Sequence, residues 1–114
     1  MPGSAHLDVE RGIAACGGDA ALHRQVVGML AADLDDRVGA LRRSLIAKDL
    51  VSAGRMAHKH KGACLSVGAV AMAERFARID QAARGGDVIL AGAELDLLTG
   101  EAAAFLLAAR ELRG

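Results

Sequence analysis

Leu22, Val26, Leu30, Leu34, Val38, Leu41 and Leu45 recur at steps of four, with a single step of three. That period belongs to a helix, not to the strict alternation of a strand, and predicts an amphipathic helix of about seven turns. Asp33, Asp35, Asp36, Arg37, Arg42 and Arg43 supply most of its solvated charge. Asp19, just ahead of the pattern, is a natural N-cap because its carboxylate accepts from an unpaired first-turn amide. Lys48-Asp49 marks a tight turn with Asp49 as the next cap, and the helix after it runs to about Ser66. Gly68 punctuates the chain. A further helix spans about Ala69 to Arg84, with Met72, Phe76, Ile79 and Ala83 on one face. Gly85-Gly86 ends it, and Asp87 caps a last helix carrying Leu95, Leu98, Ala102, Phe105, Ala109 and Leu112. Gly100 inside that helix weakens its continuity.

Ahead of these lies a short amphipathic turn, Leu7 to Cys16, closed by Gly17-Gly18, and residues 1–6 read as a loose, flexible start. Short connections favour antiparallel neighbours. The expected fold is therefore all-α: an antiparallel up-down-up-down four-helix bundle with a short extra N-terminal helix, residues 7–114 forming one domain. Composition agrees. The 114 residues include 25 alanines and 15 leucines, while Phe76 and Phe105 are the only aromatic rings of Phe, Trp or Tyr type. Strand formers are scarce.

Charge narrows the function. Lys+Arg and Asp+Glu number 14 each. A neutral chain without stacking aromatics argues against nucleic-acid binding. No uncharged apolar run reaches membrane-spanning length, and no basic segment leads into an apolar one as in an export signal. Cys16 and Cys64 are expected as reduced, buried thiols of a cytoplasmic protein.

The informative stretch is Ala57 to Ala69. On a helix with Ala57 at zero, Leu50, Ala53 and Cys64 fall within about 40° of it and define the core face. His58 lies at about 100°, on the border with solvent. Gly54 and Gly62, four residues to either side, leave the adjacent turns without side chains. Each costs about 1 kcal/mol of helix stability relative to Ala, which suggests that access to the ring is wanted. Arg55 and Lys61 are cationic neighbours at three residues, and Val51 and Leu65 border the ring with apolar surface. A neutral imidazole is a nucleophile at physiological pH. Cations beside it disfavour a protonated ring and stabilise a phosphoryl group in transfer.

The segment resembles the signature of histidine-containing phosphotransfer (HPt) domains, Ala-His-x-(apolar)-Lys-Gly-x-x-x-x-x-Gly-Ala. Ala57, His58, Lys61, Gly62, Gly68 and Ala69 match it in register. Leu7-Asp8, Gly17-Gly18-Asp19 and Gly86-Asp87 match flanking features of the family, so the resemblance covers roughly residues 7–110. It implies a phosphocarrier of a bacterial multistep phosphorelay without kinase activity of its own. The partners implied are the receiver domain of a hybrid histidine kinase and a response regulator. His58 would be the phosphoryl acceptor, Lys61 the phosphate-stabilising cation and Gly62 the clearance residue. Arg55, Gly54, Val51, Leu65 and Lys59 would complete the receiver docking face. No cofactor is expected on this chain, because Mg²⁺ belongs to the partner receiver.

One position departs from the pattern. The family's apolar residue two after the histidine is His60 here. At 200° from His58 it cannot share a ligand with it. The plain reading is a core-edge histidine bonded to a neighbouring helix; the sharper one is a pH-dependent adjustment of packing. Metal binding is not expected, since ligands on one helix need spacings of three or four. A monomer is expected, for the sequence shows no spare apolar stripe. The rival readings are a degenerate bundle that binds a receiver or kinase without transfer, and a structural helical interaction module.

Overall fold

The computed structural model describes residues 6–113; the greater part of the predicted loose start, residues 1–5, lies outside the described residues, as does residue 114. Its elements are α1 (Val9–Ala15), α2 (Ala20–Ile46), α3 (Leu50–Leu65), α4 (Val70–Arg84) and α5 (Val88–Arg113). No strand occurs among the described residues.

Four of the five described helices start on a capping aspartate, while Ala69 ahead of α4 makes no side-chain cap. Asp8, Asp19 and Asp49 accept from the amides of Arg11, Leu22 and Ser52, at 3.1, 3.0 and 3.1 Å. Asp87 does the same for Leu90 at 2.9 Å. The Ser52 hydroxyl also donates to Asp49, and together with the Ser52 amide it holds that carboxyl below its ordinary range. The reversal between α2 and α3 takes Lys48 through a left-handed conformation, φ 57°. Gly86 supplies the same freedom before α5, with φ 73°.

α2, α3, α4 and α5 each pack on the next, and α5 closes the ring against α2. The result is the expected four-helix bundle, 39 × 22 × 22 Å, with α1 set beside α2. Phe76, Phe105, Leu34, Leu41, Met72, Ile79 and Leu98 fill the centre, and alanines such as Ala53, Ala57, Ala91 and Ala109 let the axes approach. Gly100 does not interrupt α5; it lies exposed within a continuous helix.

Two sequence expectations need correction. Leu22 is 42% exposed, Val26 and Val38 are half-buried, and His23 and Val27 take the inner positions of α2 instead. Each four-residue step overshoots a full turn by about 40°, so a run of such steps drifts off the core. The polar His23 is tolerated there because its Nε2 donates to the Val67 carbonyl at 2.9 Å. The expected absence of a spare apolar stripe also fails: Ile89, Leu90, Leu97 and Leu107 stand exposed along α5.

α1 docks on the α3–α4 turn through backbone. The Asp8 amide donates to the Gly68 carbonyl at 2.8 Å. Gly68 has φ 85°, and a Cβ there would collide with the Asp8 carbonyl. Gly12 is as constrained, facing His23 and the Val67 carbonyl. The Gly68-Ala69 end of the motif is thus a packing joint, with Ala69 fully buried. His6, within the predicted loose start, already lies 2.8 Å from Glu101 of α5.

Candidate functional site

α3 presents His58 at mid-helix. Ala57 beside it and Cys64 below are fully buried and fix the inner face of the helix. Burial pushes the Cys64 thiol up to about 12, well beyond reactive range. Cys16 is only half-buried, contrary to expectation, and its thiol points to the Ser66 carbonyl at 3.9 Å. The His58 side chain is 64% exposed. It stands at the mouth of a groove of about 430 Å³ between α3 and α4, whose walls include Leu50, Val51 and Ala83.

The floor of that groove is acidic. Asp80 of α4 is buried, and its Oδ2 lies 3.6 Å from His58 Nδ1. Its Oδ1 accepts from Arg84 Nε at 2.9 Å. Sequence reasoning looked for cations around His58 and missed this anion. A signal was present: Asp80 sits four after Phe76 and three before Ala83, on the apolar face of α4, where a carboxylate needs a reason. Arg84, one turn on, was missed with it.

The two glycines beside His58 differ. Gly62 is exposed, and a Cβ there would meet nothing within 4 Å. Gly54 is buried against α4, where a Cβ would come 3.2 Å from Asp80 Oδ1 and 3.6 Å from Ala83. Gly54 lines the groove but faces α4, so of the two glycines only Gly62 leaves open space beside the ring.

Of the other predicted residues, Arg55 and Val51 line the His58 groove, Val51 being 67% exposed. Leu65 is 40% exposed and Lys61 half-buried. Lys59 is not brought to this groove; it borders a separate one toward α2 with Asp33, Asp36 and Arg37. His60 points the same way. It is 7% exposed, its ring meets Phe76 edge-on at 5.4 Å, and Arg37 donates to its Nδ1 at 2.8 Å. Burial first, then the charges of Arg37 and Lys59, lowers its pKa to about 4.

A protein-family model described as Hpt domain matches residues 25–110. The chain belongs to the Hpt domain family. Comparison with curated proteins and with solved structures found no match. Hpt domains are phosphocarriers of histidine phosphotransfer in phosphorelays, without kinase activity, and they interact with receiver domains. The helical architecture of this Hpt domain is that of the family. Among the described residues no cluster of His, Cys, Asp and Glu could hold a metal ion, and no helix is long and apolar enough to cross a membrane.

Proposed function

We propose that this Hpt domain is a cytoplasmic phosphorelay intermediate in which His58 accepts a phosphoryl group from a receiver-domain aspartate of a hybrid histidine kinase and passes it to a response-regulator aspartate. The observation that carries the reading is the placement of His58: in register with the family motif, exposed at mid-helix, beside a groove open to a partner.

The chemistry follows from the residues. A ring nitrogen of neutral His58 attacks the phosphorus of the aspartyl phosphate. The N–P bond forms as the P–O bond to the aspartate breaks, and that carboxylate leaves with the electron pair. The return step reverses this on the second receiver. Such transfers depend on positioning and on neutralising the equatorial oxygens, and little else is required of the protein. Lys61, one turn from His58, supplies a compact cation for those oxygens, and Arg55 adds charge at the rim. Gly62 gives the receiver backbone room to close on the ring. Val51 and Leu65 offer it exposed apolar surface on the same side of α3. Mg²⁺ is the receiver's contribution, and this chain is assigned no cofactor. All of these groups belong to one chain, so a monomer suffices.

Incubation with a phosphorylated receiver domain tests the reading. Acid-labile, base-stable phosphate should appear on the wild type and be absent from His58→Gln. Binding of the receiver with no label on either protein would instead mark a degenerate domain that docks without transfer.

A further inference from the structure

α5 carries two apolar stripes, and the bundle covers only one of them. Ala91, Leu95, Leu98, Ala102, Phe105 and Ala109 step alternately by four and three residues and are buried against α2 and α4. Ile89, Ala93, Asp96, Gly100, Ala103 and Leu107 repeat the same heptad two residues earlier, about 200° around the helix, and every one of them is exposed. Ile89 is 83% exposed and Leu107 56%. A helix that is apolar on both sides belongs between two partners, and a heptad keeps its seam facing a second helix. Two nearby carboxylates are turned off this seam, Glu94 toward Arg75 at 3.2 Å and Glu101 toward His6 at 2.8 Å. The charge that stays on it is Asp96, 4.0 Å from Arg42 of α2.

We propose that this face pairs with a second copy of the chain, α5 lying antiparallel to α5 across a two-fold axis at the level of Leu98. The stripe is its own complement about that point. Ile89 meets Leu107 of the second copy, Ala93 meets its Ala103, and Asp96 meets its Gly100. Small residues at the centre let the two helix axes approach, and large ones close the ends. Each Leu107 also has a seat on the other copy: a groove of about 500 Å³ between α2 and α5, whose walls include Ile46, Ile89, Gly92 and Ala93. Charge selects the orientation. A parallel pair would set the two Asp96 carboxylates directly against each other, and opposed like charges are costly. The antiparallel pair sets each beside a glycine, with its Arg42 retained.

The bundle is 39 Å long and 22 Å across, so one flank offers about the 800 Å² per partner of a standard interface. A two-fold contact of this kind is isologous and closes at two copies. The ring of helices runs α2, α3, α4, α5, which sets α5 diagonally across from α3. Pairing through α5 therefore leaves His58 of each copy free on an outer flank, and each copy remains a complete transfer unit. The pairing does not depend on His58 being the acceptor.

Sedimentation equilibrium of the full chain tests the pairing, from about 1 μM to about 1 mM, since area alone does not set affinity. The wild type should rise from 11.7 kDa toward twice that mass. Gly100→Arg puts an unpaired charge at the centre of the seam and should weaken pairing about 100-fold or more. A Cβ there meets nothing within 4 Å, and a helix favours Arg over Gly, so the melt of this variant in dilute solution should match or exceed that of wild type. Leu107→Ala empties the seat in the α2–α5 groove and should weaken pairing about tenfold or more. The register has its own check in Cys16→Ser chains. Ala93→Cys combined with Ala103→Cys should oxidise to a covalent dimer, because the two positions lie about 15 Å apart on one helix and can bridge only between copies. Neither single substitution should do so. A wild type that stays monomeric at every concentration, or a dimer that persists in Gly100→Arg, would overturn the proposal. Oxidation of Ala93→Cys alone as readily as the double variant would overturn the antiparallel register. Protection of the α5 face from hydrogen exchange only when a receiver is added would assign that face to the receiver instead.

Discussion

Arg37 of α2 donates to Nδ1 of His60 on α3 at 2.8 Å. A guanidinium cannot accept a hydrogen bond, so Nδ1 is unprotonated and the ring is neutral in the folded protein. The same contact occupies the position where the family pattern has an apolar residue. His60 thus replaces a greasy contact with a polar bridge between two helices while keeping an edge-on contact with Phe76.

That bridge predicts acid sensitivity. The folded His60 pKa is about 4, against an ordinary 6.5. Between those values the unfolded chain binds the proton more readily than the folded one. Stability is therefore fullest above about pH 6.5 and declines as pH falls toward 4, by on the order of 3 kcal/mol across the window. Denaturant melts of wild type and His60→Leu from pH 7 to 4.5 check this: the wild type should lose more stability than the variant. Parallel profiles would remove His60 as the cause.

The two glycines beside His58 should respond in opposite ways. Gly62→Gln should leave stability unchanged or raise it by up to about 1 kcal/mol, because a helix favours Gln over Gly and the site is open. It should slow phosphotransfer by obstructing the receiver. Gly54→Leu should destabilise by about 1–3 kcal/mol, since the added bulk meets Asp80 and Ala83. Urea titration and single-turnover transfer, measured on both variants, separate the two effects.

Gly68→Ala should cost more than 1 kcal/mol, from its φ of 85° and from the collision with the Asp8 carbonyl. The damage should centre on α1. Hydrogen exchange should speed at the Asp8 and Gly12 amides, with the α4 and α5 core protected as before.

Much of this was legible in the sequence, for identifiable reasons. Aspartates 19, 49 and 87 announce helix starts because capping is local chemistry, and all three cap as expected. The inner face of α4 followed from spacing, and Met72, Phe76, Ile79 and Ala83 are buried. The long α2 stripe misled at Leu22, since repeated steps of four wind away from the core. Around His58 the sequence shows only what α3 itself carries. Asp80 and Arg84 come from α4, 22 and 26 positions along the chain, and only packing brings them beneath the ring. The buried fate of Gly54 depends on the same helix pair, whereas the openness of Gly62 was readable from α3 alone.

Lys61→Ala should reduce the maximal transfer rate more than it weakens receiver binding, because a cation on the transferring oxygens acts chiefly in the transition state. Transfer rates across a range of receiver concentrations report both quantities. Equal losses in the two would make Lys61 a docking charge.

The central claim is that this Hpt domain carries a phosphoryl group on His58 between two aspartates. The most direct measurement is a two-stage relay. The protein is first labelled by a phosphorylated receiver and purified. It is then mixed with a response regulator. The account predicts that label leaves His58 and appears in equal amount on the regulator's aspartate, with no label passing through His58→Gln. Label that resides elsewhere in the chain, or that reaches the regulator as well through His58→Gln, would contradict it.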